Sequence, residues 1–505
     1  MSNTKIVKNV IANYIGITGQ IVIAFLLTPF LVHTLGDTKY GIWSIAAAFT
    51  GYMCLLDLGV SSAVNRYVAR YHAIRDEANV NAIVSTALVI FIVICIIIFL
   101  ISPFMASLIV NGLNFEENMR DLVYILIIIV SFDVGIFVIG NLFKGLFGGL
   151  QRYEVINYMQ ITSAAYKAIM FYFFLSEGFD LPAMGYISLT ANIMMGMGYF
   201  ILLKRLYPSI SISFKFTNKS SARKLFQFGG YTFLAMLANQ IIYYSDAFVI
   251  GYFMTAAAIT YYSIPWSLAE YAKRMCLAIS STYAPAISAE DSKNDMTSIV
   301  EMYISGTKYM IIISNLLTVG IIILGGALIA IWMGPEYKER CETVLLILFV
   351  SLFVQGPQLI SYSVLKGLAK QKIYSYVSLG VAIVNLALSI VLVQKWGIVG
   401  VAIGSAVPQI LFHGLFVPLF TLHVLNISVW QYFRKTYLIT LLPTVILFLV
   451  LVWIDKYFYP EGYLTLILFA LISAVIYLVF VYLFSLDGNE KKVCIRYIKK
   501  SLKII

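Results

Sequence analysis

The chain has 505 residues, of which 61% are hydrophobic and only 12% charged, and its formal net charge is +11. A water-soluble chain of this size divides into domains and carries about a quarter charged residues, so the composition excludes an ordinary globular protein and points to folding in lipid. The five cysteines form neither a CxxC metal pattern nor a disulfide framework, and no GxxxxGK[ST] phosphate loop or HExxH pair occurs.

A spanning helix needs roughly 20 mostly apolar residues to cross about 30 Å of hydrocarbon. In chain order that ruler predicts spans at 10–34, 40–62, 82–108, 121–144, 155–176, 182–203, 226–252, 257–285, 302–333, 342–365, 374–394, 398–423, 436–455 and 463–485. The expectation is an all-α polytopic membrane protein of about fourteen transmembrane helices. The polar, basic start Met1–Val10 predicts no cleavable signal peptide. With the N-terminus placed in the cytoplasm, 25 of the 35 Lys and Arg fall on cytoplasmic segments, six on the opposite side and four inside spans. That is the positive-inside bias, and it puts both termini in the cytoplasm. The basic face therefore reads as lipid-side topology, with no nucleic acid as partner.

The sequence repeats with an offset near 220 residues: Gln20-Ile21 returns as Gln240-Ile241, Tyr40 to Ser44 resembles Tyr262 to Ser267, and Lys144-Gly145-Leu146 returns as Lys366-Gly367-Leu368. Six predicted helices fit in that offset. An even number gives two parallel repeats, which are related by an axis along the membrane normal and put a cavity at their interface, as in transporters that work by alternating access. The predicted division is a six-helix lobe at 1–212, a second at 213–430, two additional helices within 431–488 and a basic amphipathic tail at 489–505. In that tail Ile495, Ile498, Leu502 and Ile505 alternate with cations, a pattern suited to lying on anionic membrane lipids.

The stretches LVHTLGDTKYGIWS from Leu31 to Ser44 and LLDLGVSSAVNRY from Leu55 to Tyr67 resemble the bacterial polysaccharide-biosynthesis translocases, the O-antigen-type flippases of the multidrug/oligosaccharidyl-lipid/polysaccharide exporter superfamily. RKLFQFGG from Arg223 to Gly230 is similar to the family's pattern at that point, although Tyr231 follows where a proline is usual. The resemblance implies a substrate, a short oligosaccharide on undecaprenyl diphosphate turned from the cytoplasmic to the outer leaflet of the bacterial cytoplasmic membrane. It also implies neighbours in the same pathway, a polymerase and chain-length components, and no cofactor.

Ionisable groups inside a membrane cost a few kcal/mol and are functional candidates. Within spans lie Asp57, Asp133, Asp246 and Glu270 against Lys167, Lys273, Arg274 and Lys308. Equal numbers allow structural pairing, so Lys167 either pairs with Asp133 or faces substrate. Glu270, Lys273 and Arg274 share one helix face. One carboxylate cannot satisfy two cations, and a diphosphate suits the spare: Arg through two parallel hydrogen bonds, Lys as a point charge. Arg274, Lys273 and Lys167 are thus the expected diphosphate contacts. Glu270, Asp133 and Asp246 are expected as ion-pair or coupling groups, Asp246 either as a proton or cation site or as an outer rim residue. Asp57 and Arg66 form a candidate cytoplasmic gate, and Lys308 is expected to reach the headgroups. Tyr262 and Trp266 either anchor at the interface or face glycan. Pro265 and Pro357 are candidate hinges.

Two rivals stand beside the flippase. A drug or cation exporter of the same superfamily would have Glu270 and Asp246 in its cavity with Lys273 and Arg274 turned away. A membrane polymerase or glycosyltransferase needs a large external loop with catalytic carboxylates or arginines, which the sequence lacks.

Overall fold

A computed structural model describes residues 3–492 and 495, with side chains described from residue 16 onward except at 230–232, 234 and 235. In hydrocarbon each peptide group must bond within its own segment or a closed sheet, and the described residues are helical with no strand. The helices run α1 (Asn3–Leu35), α2 (Asp37–Met53), α3 (Val60–Ala73), α4 (Glu77–Gly112), α5 (Arg120–Gly149), α6 (Tyr153–Ser176), α7 (Leu181–Leu206), α8 (Lys219–Phe253) and α9 (Ala256–Ser280). They continue as α10 (Tyr283–Asp291), α11 (Met296–Met333), α12 (Pro335–Gln355), α13 (Leu359–Gly367), α14 (Gln371–Pro408), α15 (Val417–Val424), α16 (Val429–Phe433), α17 (Ile439–Tyr457) and α18 (Tyr463–Phe480).

A helix underlies every predicted span. Among the described residues nine helices are long and apolar enough to cross a bilayer, and the bent pair Asp37–Asp57 with Val60–Ala73 makes a tenth. That pair turns by 47° at Leu58 and Gly59, whose φ values of 53° and 75° end the first helix in the left-handed region. Pro357 sits in the short 3-10 turn Gly356–Gln358 that separates α12 from α13, where a missing N–H costs least. The spans at 374–394 and 398–423 form one helical stretch broken at Gly397, with φ 56° and ψ −137°. There the chain doubles back: a Cβ on Gly404 would lie 2.7 Å from the Ser389 nitrogen, and one on Gly400 2.2 Å from the Leu392 carbonyl oxygen. Glycine at 397 supplies a conformation other residues resist.

Two compact units emerge. The first comprises Met1–Ser263 with Ser378–Gly404, the second Ile264–Val377 with Ser405–Ile505. In the first, α5 packs on α4 and α7, α1 on α6, α3 on α5 and α2 on α8. In the second, α11 packs on α12 and α17, α10 on α13 and α17 on α18. These units are not delimited at 212 or 430, and the six-helix lobes remain part of the proposal below.

Inside the first unit α2 meets the start of α9 with almost no separation. A Cβ on Gly41 would fall 1.8 Å from the Ala256 carbonyl oxygen. The Thr260 hydroxyl donates to the Asp37 carbonyl at 2.6 Å, and the Tyr261 phenol donates to the Asp37 carboxylate at 2.5 Å. Backbone cannot yield as a side-chain tip can, so Gly41→Ala must push the two helices apart. The expected cost is about 3 kcal/mol, read as a lower thermal midpoint in detergent and a lower membrane yield.

In the second unit Lys308 does not snorkel to headgroups. It is 7% exposed, and its ammonium donates to both Glu490 oxygens at 2.6 Å. The Tyr309 phenol (2.6 Å) and the Asp487 N–H (2.8 Å) donate to the same carboxylate. A carboxylate just past the last span satisfies the cation better than a mobile headgroup. The rest of the tail, 493–494 and 496–505, lies outside the described residues, and so does most of its expected amphipathic helix.

Candidate functional site

Three helices of the first unit present polar stripes at helical spacing. Phe137, Gly140, Asn141 and Lys144 lie on one face of α5, Gln160, Ser163, Ala164 and Lys167 on one face of α6, and Asn192, Met195 and Tyr199 on one face of α7. With Gln20 of α1, these residues line a single cavity of about 240 Å³. Two lysines reach it, and no carboxylate lines it. Among the described residues neither ammonium makes a hydrogen bond or an ion pair within 4 Å. The field of Asp133 acts on Lys167 and that of Asp57 on Lys144, but both carboxylates hold other partners. Asp133 is 7% exposed and accepts the Asn192 amide at 2.6 Å. Of the two alternatives for Lys167, the ion pair with Asp133 is not formed within 4 Å: an amide takes the carboxylate, and the lysine lines the cavity.

Asp57 is taken up by Ser61. Its Oδ1 accepts the Ser61 N–H at 3.0 Å and its Oδ2 the Ser61 hydroxyl, closing the start of α3 where the bend leaves N–H groups open. Arg66, one turn on, lies 4.5 Å from the Phe228 ring centre, a cation–π contact. The structure does not bring Asp57 and Arg66 together as a gate pair.

Asp246 is enclosed within the first unit. It is 2% exposed, accepting the Tyr262 phenol and, at 3.5 Å, the Ser389 hydroxyl. A buried carboxylate must be surrounded by donors, and Tyr262, itself only 4% exposed, supplies one of them. Trp266 stays partly exposed on α9.

In the second unit, Glu270 takes Arg274. The Arg274 Nε donates at 2.9 Å, with the arginine side chain 52% exposed and the glutamate 10%. Lys273 is partly buried, and its field reaches His413 on the neighbouring π-helical stretch Gln409–Phe416. Among the described residues no group of three His, Cys, Asp or Glu could hold a metal ion.

Lys144 was missed because, at the very end of the predicted span 121–144, it counted as a loop cation. Its signal was available: Asn141 and Lys144 continue a polar face of a span, and Gln160 and Lys167 repeat it on the next helix.

The chain is 24% identical over 418 residues to the "Putative O-antigen transporter" of Shigella flexneri, covering 81% of this chain and 96% of that protein. Among solved structures, the lipid II flippase MurJ in an inward closed conformation is similar with a TM-score of 0.74 at 17% identity, over 95% of this chain and 98% of that one. An inward-facing MATE family multidrug transporter of the MOP superfamily gives 0.70 at 13%, over 80% and 95%. These structures share the fold, and the all-helical multi-pass architecture is theirs as well. Residues 6–290, more than half of the chain, match the family described as "Polysaccharide biosynthesis protein", and the chain belongs to that family.

Proposed function

We propose that the protein is a flippase that carries undecaprenyl-diphosphate-linked oligosaccharide repeat units from the cytoplasmic to the outer leaflet, for assembly of a surface polysaccharide. The observation that carries this reading is the pair of lysines, Lys144 and Lys167, that line one cavity without a hydrogen-bonding or ion-pair partner among the described residues, in a lining that holds no carboxylate. Isolated ammonium groups inside a membrane are costly, and a lipid-linked phosphate is an anion able to satisfy them. Cationic drugs would be repelled. Arg274 and Lys273 form a second anion contact in this reading, with Glu270 orienting the arginine. Asp246, a buried carboxylate that accepts the Tyr262 and Ser389 hydroxyls, is the proposed coupling group for an ion gradient.

The protein would cross the bacterial cytoplasmic membrane fourteen times with both termini in the cytoplasm. Its lobes at 1–212 and 213–430 would rock to open toward each leaflet in turn, while the helices within 431–488 stand outside the repeat. Such a carrier makes and breaks no bond in its cargo, and it would hand that cargo to a polymerase and chain-length components. Extraction of lipid-linked saccharides, with surface glycan, from cells with and without the gene tests this. Loss of surface glycan with single repeat units accumulating on undecaprenyl diphosphate is the expected result. Unchanged glycan with altered tolerance to cationic compounds would replace the flippase by an exporter.

A further inference from the structure

The cavity holds more chemistry than two cations. Lys144 and Lys167 are donors only and act on an anion as point charges, so they hold a phosphate without reading what is attached to it. The α5–α6 hairpin turns between Gly149 and Tyr153, which sets Lys144 opposite residue 158. Lys167 is nine residues further on, about 13 Å of helical rise. The site is therefore elongated, with a cation toward each end. Between these levels stand Asn141 and Gln160, with Gln20 reaching in from α1.

The amides are largely unused. Gln20 Nε2 donates to Gln160 Oε1 at 3.5 Å, the weak end of hydrogen bonding. A carboxamide offers two donors and an acceptor oxygen with two lone pairs. Among the described residues the Gln20 oxygen, the Gln160 nitrogen and both ends of Asn141 have no protein partner. Mixed donors and acceptors in one place match a group that both gives and takes hydrogen bonds, as ring hydroxyls and acetamido groups do. The Phe137 ring in the same wall offers an apolar face to the C–H side of a pyranose.

We infer that this cavity recognises a glycosyl phosphate as one unit, one lysine holding the phosphate and Gln20, Gln160 and Asn141, which stand between the two cations, reading the sugar joined directly to it. The inference rests on the anion-carrying role proposed above and goes beyond it, because it places sugar selectivity in the first compact unit and on named amides. Discrimination by such groups is effective because a sugar lacking the right hydroxyl leaves a buried amide unsatisfied.

The test is direct binding to the full-length protein purified in detergent, with inorganic phosphate, glucose, glucose 1-phosphate and N-acetylglucosamine 1-phosphate as probes. At least one glycosyl phosphate is expected to bind about tenfold more tightly than inorganic phosphate, the worth of one or two net hydrogen bonds, and glucose alone weakly. Gln20→Leu with Gln160→Leu should erase that increment and leave phosphate affinity within about twofold. Equal affinity of the wild-type protein for phosphate and for both glycosyl phosphates would overturn the sugar-reading role, and needs no variant to fold. Absence of phosphate binding altogether would instead remove the anion site itself.

Discussion

Replacing Lys144 and Lys167 together by glutamine should reduce surface glycan at least about a hundredfold, with lipid-linked repeat units accumulating inside the cell. Each charge-assisted hydrogen bond to a phosphate is worth about 1.5–3 kcal/mol, so each single replacement should cost about tenfold or more. The protein itself should not suffer. Both ammonium groups lack a hydrogen-bonding or ion-pair partner among the described residues, and removing a charge relieves a desolvation cost that outweighs the through-space attraction of Asp133 and Asp57. The double variant should therefore show a thermal midpoint equal to or above that of the parent. Function and stability moving in opposite directions separates a binding role from a structural one. A variant that loses both would make the lysines part of the scaffold. Arg274→Ala is the comparison: with its Nε already given to Glu270 and its side chain half exposed, its loss should be smaller, about threefold. Glycan surviving in full in Arg274→Ala would take that residue out of the site.

Much of the helical framework could be read from the sequence because one physical constraint, the length of helix that crosses hydrocarbon, acts on every span alike. Gly397 is a case in point. The break between the spans 374–394 and 398–423 was visible as a short polar interval, and the structure realises it as a single left-handed glycine. Site residues were less legible because ionisable groups announce burial but not partners. Asp246 and Tyr262 lie opposite one another across the α8–α9 turn, so simple hairpin counting could have joined them. Asp133 could not have been assigned, because its partner is the neutral Asn192 and a search for opposite charges passes over amides. The four-against-four balance of charges suggested pairing throughout, yet the structure pairs Glu270 with Arg274 and Lys308 with Glu490. The latter partner is outside every span and 182 residues away.

That pair supports the second large effect, which falls on stability. Glu490→Gln should destabilise the protein by about 3 kcal/mol or more, because it leaves the Lys308 ammonium, 7% exposed, without a counter-charge. Lys308→Met should cost less, about 1–2 kcal/mol. It replaces a buried cation by an apolar chain of similar length and leaves behind a carboxylate that is 15% exposed, at a position past the last span, and still bonded to Tyr309 and the Asp487 N–H. The swap Lys308→Glu with Glu490→Lys should recover part of the loss. Burial alone would raise the Glu490 carboxyl, but the hydrogen bonds from Lys308, Tyr309 and the Asp487 backbone, with the attraction of Lys308, outweigh it and hold the group below its ordinary value of 4.5. A carboxylate with a depressed folded value stabilises fully above its unfolded value and loses that contribution as the pH falls through the folded one. The gap in thermal midpoint between parent and Glu490→Gln should accordingly be constant from about pH 8 to pH 5.5 and close as the solution is acidified below about pH 4.5. A gap that is absent at neutral pH, or that widens on acidification, would mean that the contact between α11 and the residues after α18 is not what secures this end of the second unit.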